Sequence, residues 1–217
     1  MSTAPARAQQ ERSREVRRRI LDAAVDVLVS VGYAQATTLR IQERAGVSRG
    51  RLLHHFPSRD DLLVAAAHHL ATERISETRS AVDWPVEPGA RIDAAIDVLC
   101  RSYQQPYFWA ATELWIASRV HEDLRVALLP AEQQLGAVIR DDTAGYFGPE
   151  IAAHPLFPAI RDMLHTSLRG AALSTSFDRR PQTLAQHAEK LKRLVREVLL
   201  DGRGSDTTTS FDTTLKE

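Results

Sequence analysis

Apolar positions recur along this chain at intervals of three and four residues, and almost nowhere at intervals of two. Ile20, Leu21, Ala24, Val25, Leu28 and Val31 fall on one stripe, which predicts a helix from about Arg14 to Ser30 with Gly32 as its C-terminal stop. Ile41, Ala45, Val47 and Leu52 are spaced so that two short helices share a small core. The first would run from Thr37 to Ala45, turn at Gly46, and give way to a second whose first turn the Ser48 hydroxyl can cap. A long helix should follow from Arg59 to about Ser80, with Ser58 and Asp61 in the positions of a capping box. The stretch 83–89, DWPVEPG, breaks the pattern and reads as a linker.

Further helices fit 89–103, 106–119, 121–145, 156–178 and 183–200, the last with Thr183 and Gln186 spaced as a capping box. Pro130 falls inside the 121–145 pattern and predicts a kink or a split there. The polar stretch 201–217 has little apolar surface to bury and reads as disordered. The fold class is all-α.

The 217 residues suffice for one or two domains with a sizeable core. No apolar run reaches the roughly 18–20 residues of a membrane span. The first nineteen residues contain no apolar stretch of the kind a signal peptide needs. A single cysteine, Cys100, excludes an internal disulfide framework and a Cys-rich zinc site. A cytoplasmic location without membrane contact is the expectation.

Charge changes the picture more than composition does. The net charge is zero, yet residues 1–60 hold eleven arginines against six carboxylates, and the remainder holds the compensating acidic excess. Arg17, Arg18 and Arg19 lie in the early turns of the first helix, where positive charge opposes the helix dipole and a nearby polyanion would relieve it. On the second helix of the 37–56 pair, Arg49, Arg51, His54 and His55 remain for the exposed side. A short helix with one apolar face and one basic face suits the major groove of DNA.

The order of residues around that pair is specific. Gly32-Tyr33 closes the first helix, and Thr37-Thr38, Ile41, Ala45-Gly46-Val47-Ser48, Gly50, Leu52, His55-Phe56, Pro57-Ser58-Arg59 and Leu62-Leu63 follow. Over about residues 14–65 this resembles the TetR family of bacterial transcriptional regulators. The resemblance implies an N-terminal three-helix helix-turn-helix domain followed by a larger helical ligand-binding and dimerisation domain. The corresponding organisation is a flexible basic arm at 1–13, a DNA-binding domain at 14–60 with its helix-turn-helix at 37–56, a body at 61–200 and a tail at 201–217.

Carried over by position, the resemblance implies that Thr37 and Thr38 cap the second helix and touch phosphate. Arg49, Gly50 and Arg51 open the recognition helix near bases and backbone, His54 and His55 match a phosphate-contacting pair, and Arg59 matches a usual Lys that reaches phosphate. Hydroxyls, backbone N–H groups and cations are the groups that make phosphate contacts, and Arg reads guanine bidentately. Three positions depart from the family pattern: Leu53 stands where Tyr is usual, Gln42 where Ala is usual, and Arg51 where a small residue is common.

Five of the thirteen aromatics fall within 103–115, which in the family lies around an effector cavity. Tyr103, Tyr107, Trp109 and Glu113 are the candidate effector-binding residues, for a small and mostly apolar ligand. Glu113 could equally pair with Arg119 or a helix end. The histidines show no metal spacing, and no metal, cofactor or catalytic residue is predicted. In 156–178, Ile160, Leu164, Leu168 and Ala171 form a stripe; in 183–200, Leu184, Ala188, Leu191, Val195 and Val198-Leu199 form another. Spacing alone fits the core of one chain as well as a four-helix dimer interface, and the resemblance favours the homodimer.

The expected function is a ligand-responsive regulator bound to a palindromic double-stranded DNA operator, a repressor released by its effector. Two other readings remain: an all-α small-molecule enzyme using Glu113 and a histidine such as His165, and a helical dimer whose DNA binding Leu53 and Gln42 have weakened.

Overall fold

A computed structural model describes residues 4–177 and 182–200. Among them are α1 (Ala4–Gln35), α2 (Thr38–Ala45), α3 (Arg49–His55), α4 (Arg59–Ala81), α5 (Pro88–Ser102), α6 (Pro106–Ser118), α7 (Glu122–Phe147), α8 (Pro149–Ala152), α9 (Phe157–Ser174) and α10 (Gln182–Leu199). No strand occurs among the described residues, and no helix there is long and apolar enough to cross a membrane. The predicted tail 201–217 lies outside the described residues.

Helix α1 begins at Ala4, ten residues before the expected start, so most of the predicted flexible arm continues the helix. Residues 6–13, ARAQQERS, are good helix formers with no breaker among them. Helical torsions end at Gly32, whose φ of 74° and ψ of 169° are open to glycine and essentially to nothing else. Helix α7 runs through Pro130 without splitting. The carbonyl that proline leaves unbonded belongs to Val126, which is exposed, so water can satisfy it. Thr183 lies within the first turn of α10 and is not its N-cap. The one-turn helix α8 had no counterpart in the sequence pattern.

Two apolar clusters organise the chain. The first gathers Ile20, Leu21, Leu28, Ile41, Leu52, Leu62 and Leu63, and it is completed by Ala110 and Leu114 of α6 and Leu124 and Leu128 of α7. The second gathers Ile92, Ile96 and Leu99 of α5 with Phe108, Phe147, Phe157, Leu164 and Leu168 and with Leu184, Leu191, Val195 and Leu199 of α10. Helix α6 belongs to both.

The second cluster takes the two C-terminal apolar stripes into the core of one chain. Ile160, Leu164 and Leu168, and Leu184, Ala188, Leu191, Val195 and Leu199, are buried within one chain. The apolar face of α5 covers them: α10 packs on α5 and α9, and Lys192 and Arg196 add ion pairs to Asp97 (2.6 Å) and Asp93 (3.2 Å). The predicted linker at 83–89 is also packed, with Trp84 stacked on Tyr146 at 5.0 Å and Arg91 over Trp84 at 4.9 Å.

Candidate nucleic-acid interface and interior cavity

The 37–56 segment folds by local capping. The Thr37 hydroxyl accepts the Arg40 N–H at 3.3 Å and the Ser48 hydroxyl accepts the Arg51 N–H at 3.3 Å, so each begins a helix. Gly46, at φ 62° and ψ 42°, makes the turn between them. Ile41, Ala45, Leu52 and Phe56 are buried, and Arg49, Gly50, Arg51, Leu53 and His54 are left exposed. Thr37 is exposed, while Thr38, Gln42 and His55 are half-buried.

The side chains of Arg49 and Arg51 have neither an ion pair nor a hydrogen bond among the described residues, which leaves this face positively charged. Arg17 of α1 lies over the Phe56 ring at 5.1 Å, so the basic row of α1 reaches the end of α3. Partial burial, then the charges of His54, Arg17 and Arg51, push His55 below its ordinary pKa. Other head cations are committed internally: Arg44 pairs with Asp26 at 2.7 Å, and Arg19 donates to the Ala45 carbonyl at 3.3 Å.

Arg59 departs from its expected role. Its Nε donates to the Ala36 carbonyl at 2.8 Å, its Nη2 donates to the Tyr33 carbonyl, and its guanidinium lies 4.1 Å from the Tyr33 ring centre. Tyr33 in turn donates its hydroxyl to Asp60 at 2.9 Å. The guanidinium thus fastens the turn after α1 to the start of α4.

A cavity of about 390 Å³ lies among α4, α5, α6, α7 and α9. Tyr107, Phe108, Ala111 and Trp115 of α6 and Ala67, Ala71 and Ile75 of α4 form much of its apolar wall. Its polar side contains an ordered relay. Thr143 donates its hydroxyl to the Ile139 carbonyl at 2.6 Å, so its oxygen accepts from His165 Nε2 at 3.0 Å. Nδ1 is then the acceptor, and the Tyr103 hydroxyl donates to it at 2.8 Å. Burial, helped by Arg169 and Arg161, pushes His165 down to about 4, and burial pushes Tyr103 up to about 12. Both are therefore neutral at neutral pH, as the relay requires. His68 meets Glu132 at 3.4 Å, and Arg169 lies over the Trp115 ring at 4.8 Å.

Of the four candidate effector residues, Tyr103 and Tyr107 line this cavity; Trp109 and Glu113 do not. Successive residues of α6 point in different directions. Trp109 packs edge-on to Phe108 at 5.1 Å, and Glu113 faces the head, where its Oε2 accepts the Tyr33 N–H at 3.2 Å. Glu113 faces Tyr33 while His165 faces the cavity, so these two are not brought together. The cavity also uses residues that the sequence pattern did not single out. Glu132, Leu135, Gly136, Ile139, Arg140, Thr143 and Tyr146 share one helical face of α7, a periodicity visible in the sequence but silent on what it faces.

Comparison with known proteins places the head and the whole chain in one group. The sequence profile of the family described as "Bacterial regulatory proteins, tetR family" matches residues 20–66. The HTH-type transcriptional regulator Rv2912c of Mycobacterium tuberculosis is 30% identical over 191 residues, covering 88% of this chain and 97% of that protein. The HTH-type transcriptional repressor Rv1474c of the same organism is 35% identical over 107 residues, 49% of this chain and 52% of that protein. The crystal structure of a transcriptional regulator from Rhodococcus sp. Rha1 shares the fold, with a TM-score of 0.66 at 19% identity over 86% of this chain and 96% of that one.

Proposed function

Since the chain belongs to the tetR family of bacterial regulatory proteins, we propose that it is a ligand-responsive DNA-binding repressor whose effector occupies the cavity among α4, α5, α6, α7 and α9. The observation that carries this reading is the double membership of α6. One side of that helix lines the cavity with Phe108, Ala111 and Trp115, while Ala110 and Leu114 pack into the head and Glu113 holds the Tyr33 backbone. A ligand that displaces α6 or α4 necessarily acts on the packing of the head. That a related HTH-type regulator is named a repressor supports the sign of the response.

In this reading residues 14–60 form the DNA-binding head and 61–200 the body. Thr37, Thr38, Arg49, Gly50, Arg51, His54 and His55 approach the DNA, and Arg59 holds the head together. Two copies pair across the exposed faces of α9 and α10, where Met163 and Leu173 of α9, Phe177 just after it and Leu194 of α10 leave apolar surface. Two recognition helices then meet successive major-groove turns of a palindromic operator roughly 34–36 Å apart. The effector releases DNA only if it binds the two states with different affinity, and a difference of a few kcal/mol suffices. The protein acts in the cytoplasm, where the DNA is, and performs no reaction.

A mobility-shift titration against the DNA upstream of its own gene tests this. A salt-sensitive complex is expected, and it should weaken when Arg49 and Arg51 are replaced by Ala. A folded dimer that binds no palindromic site at low salt would overturn the reading.

A further inference from the structure

The charged groups lining the cavity are unevenly partnered, and this indicates what kind of molecule it accepts. The acidic groups are engaged within the chain: Glu132 meets His68 at 3.4 Å, Asp162 meets Arg161 at 2.9 Å, and the buried Asp142 has a partner of its own. The two cationic residues of the lining, Arg140 and Arg169, have no carboxylate partner among the described residues. The lining groups without an ion-pair partner among the described residues are therefore these two arginines, beside an apolar wall.

Arg169 is held in a geometry suited to an anion. Its guanidinium lies over the Trp115 ring at 4.8 Å, a contact that uses the face of the group and leaves N–H donors at its edge. Tyr103 directs its proton to His165 Nδ1 at 2.8 Å, so its oxygen is an acceptor beside Arg169, engages part of that donor edge and does not compete as a donor to the ligand. His165 contributes no charge of its own at neutral pH. An ammonium group entering beside Arg169 would meet a guanidinium, not a carboxylate. A carboxylate would meet a planar donor fork that matches its two oxygens.

We propose that the effector is an amphipathic carboxylic acid, with its apolar body against Phe108, Ala111 and Trp115 and its carboxylate on Arg169, assisted by Arg140. The volume of about 390 Å³ is in the lower part of the roughly 300–1,000 Å³ range of ligand pockets, which suits a compact acid. The proposal rests on the cavity being the effector site.

Isothermal titration calorimetry with three probes of one skeleton tests it: phenylbutyrate, phenylbutanol and phenylbutylamine, in a buffer free of carboxylates. The acid should bind about tenfold or more tighter than the amine, with the alcohol between them. In Arg169→Gln the acid should lose its advantage over the alcohol, while the alcohol's affinity and the melting temperature stay as in the parent; Arg140→Gln should produce a smaller loss. Three results overturn the proposal: an amine that binds as tightly as the acid, an acid preference untouched by both substitutions, or no heat from any probe. Mobility shifts with the same probes separate this from the regulatory reading. An acid that binds with the expected arginine dependence but leaves the operator complex intact supports the ligand class and removes the regulatory role. Release of the operator by the amine alone keeps the regulatory role and overturns the ligand class.

Discussion

Glu113 Oε2 accepts the backbone N–H of Tyr33 at 3.2 Å, joining α6 to the end of α1 across eighty residues of sequence. Trp115 of the cavity wall lies two positions further along the same helix. Glu113→Ala removes the acceptor from a part-buried N–H, a change that costs about 1–3 kcal/mol. Urea unfolding should record that loss, and an effector should release DNA less completely from the variant. Glu113→Gln keeps an oxygen acceptor and should fall between the two. An Ala variant that responds to effector as fully as the parent would show that this hydrogen bond is not part of the coupling.

Gly32 should resist substitution for two separable reasons. Its φ of 74° and ψ of 169° cost a residue with a side chain about 1–3 kcal/mol. A Cβ there would also stand 3.2 Å from Glu113 Oε2, closer than ordinary contact. Gly32→Ala should therefore lower the urea midpoint, and adding Glu113→Ala should worsen stability by less than the sum of the two single changes, because the second removes the crowding created by the first. Strict additivity would leave backbone strain as the sole cause.

The buried relay makes stability depend on pH. His165 titrates near 6.5 in the unfolded chain and at about 4 in the folded one. Between those values the unfolded chain takes up the proton and the folded chain does not, so stability rises with pH across this window. Its contribution is complete above about pH 6.5 and is lost as the pH falls toward 4, with a ceiling of about 3 kcal/mol. Urea midpoints at about pH 7.5 and pH 4.5 should differ more for the parent than for His165→Gln, which cannot titrate. Equal acid sensitivity would mean that other groups govern acid unfolding.

Much of this was legible in the chain. The head could be read almost residue by residue because its signals are local: Ser48 and Ser58 cap the helices that follow them, Gly46 turns, and the buried positions Ile41, Ala45 and Leu52 keep helical spacing. The body was legible as helices but not as a site. Whether the stripe of Leu184, Leu191 and Val195 meets its own chain or a second copy depends on α5, which precedes it by some ninety residues. The direction of Glu113 was hidden for the same reason: a half-turn of α6 decides between cavity and head, and only the packing of Ala110 and Leu114 against α1 and α4 fixes it. The internal bonds of Arg59 were hidden too, because matching a family position says nothing about two carbonyls, at Tyr33 and Ala36, that lie within reach.

Arg59 and the two arginines of α3 should therefore respond to substitution in opposite ways. Arg49 and Arg51 are exposed and have no ion pair among the described residues, so Arg49→Ala and Arg51→Ala should leave the melting temperature unchanged. Each should weaken operator binding, and wherever the arginine binds a phosphate its removal should reduce the slope of log affinity against log salt by about one. Arg59→Ala should do the reverse. It removes the donors to the Tyr33 and Ala36 carbonyls and the cation over the Tyr33 ring, so the head should melt earlier while the salt slope of the folded protein stays the same. Arg59→Lys should not restore stability, because an ammonium cannot bond both carbonyls and present a planar face to the ring. If Arg59→Ala melted like the parent and its salt slope fell by about one, the side chain would have to turn outward in the complex and bind phosphate after all.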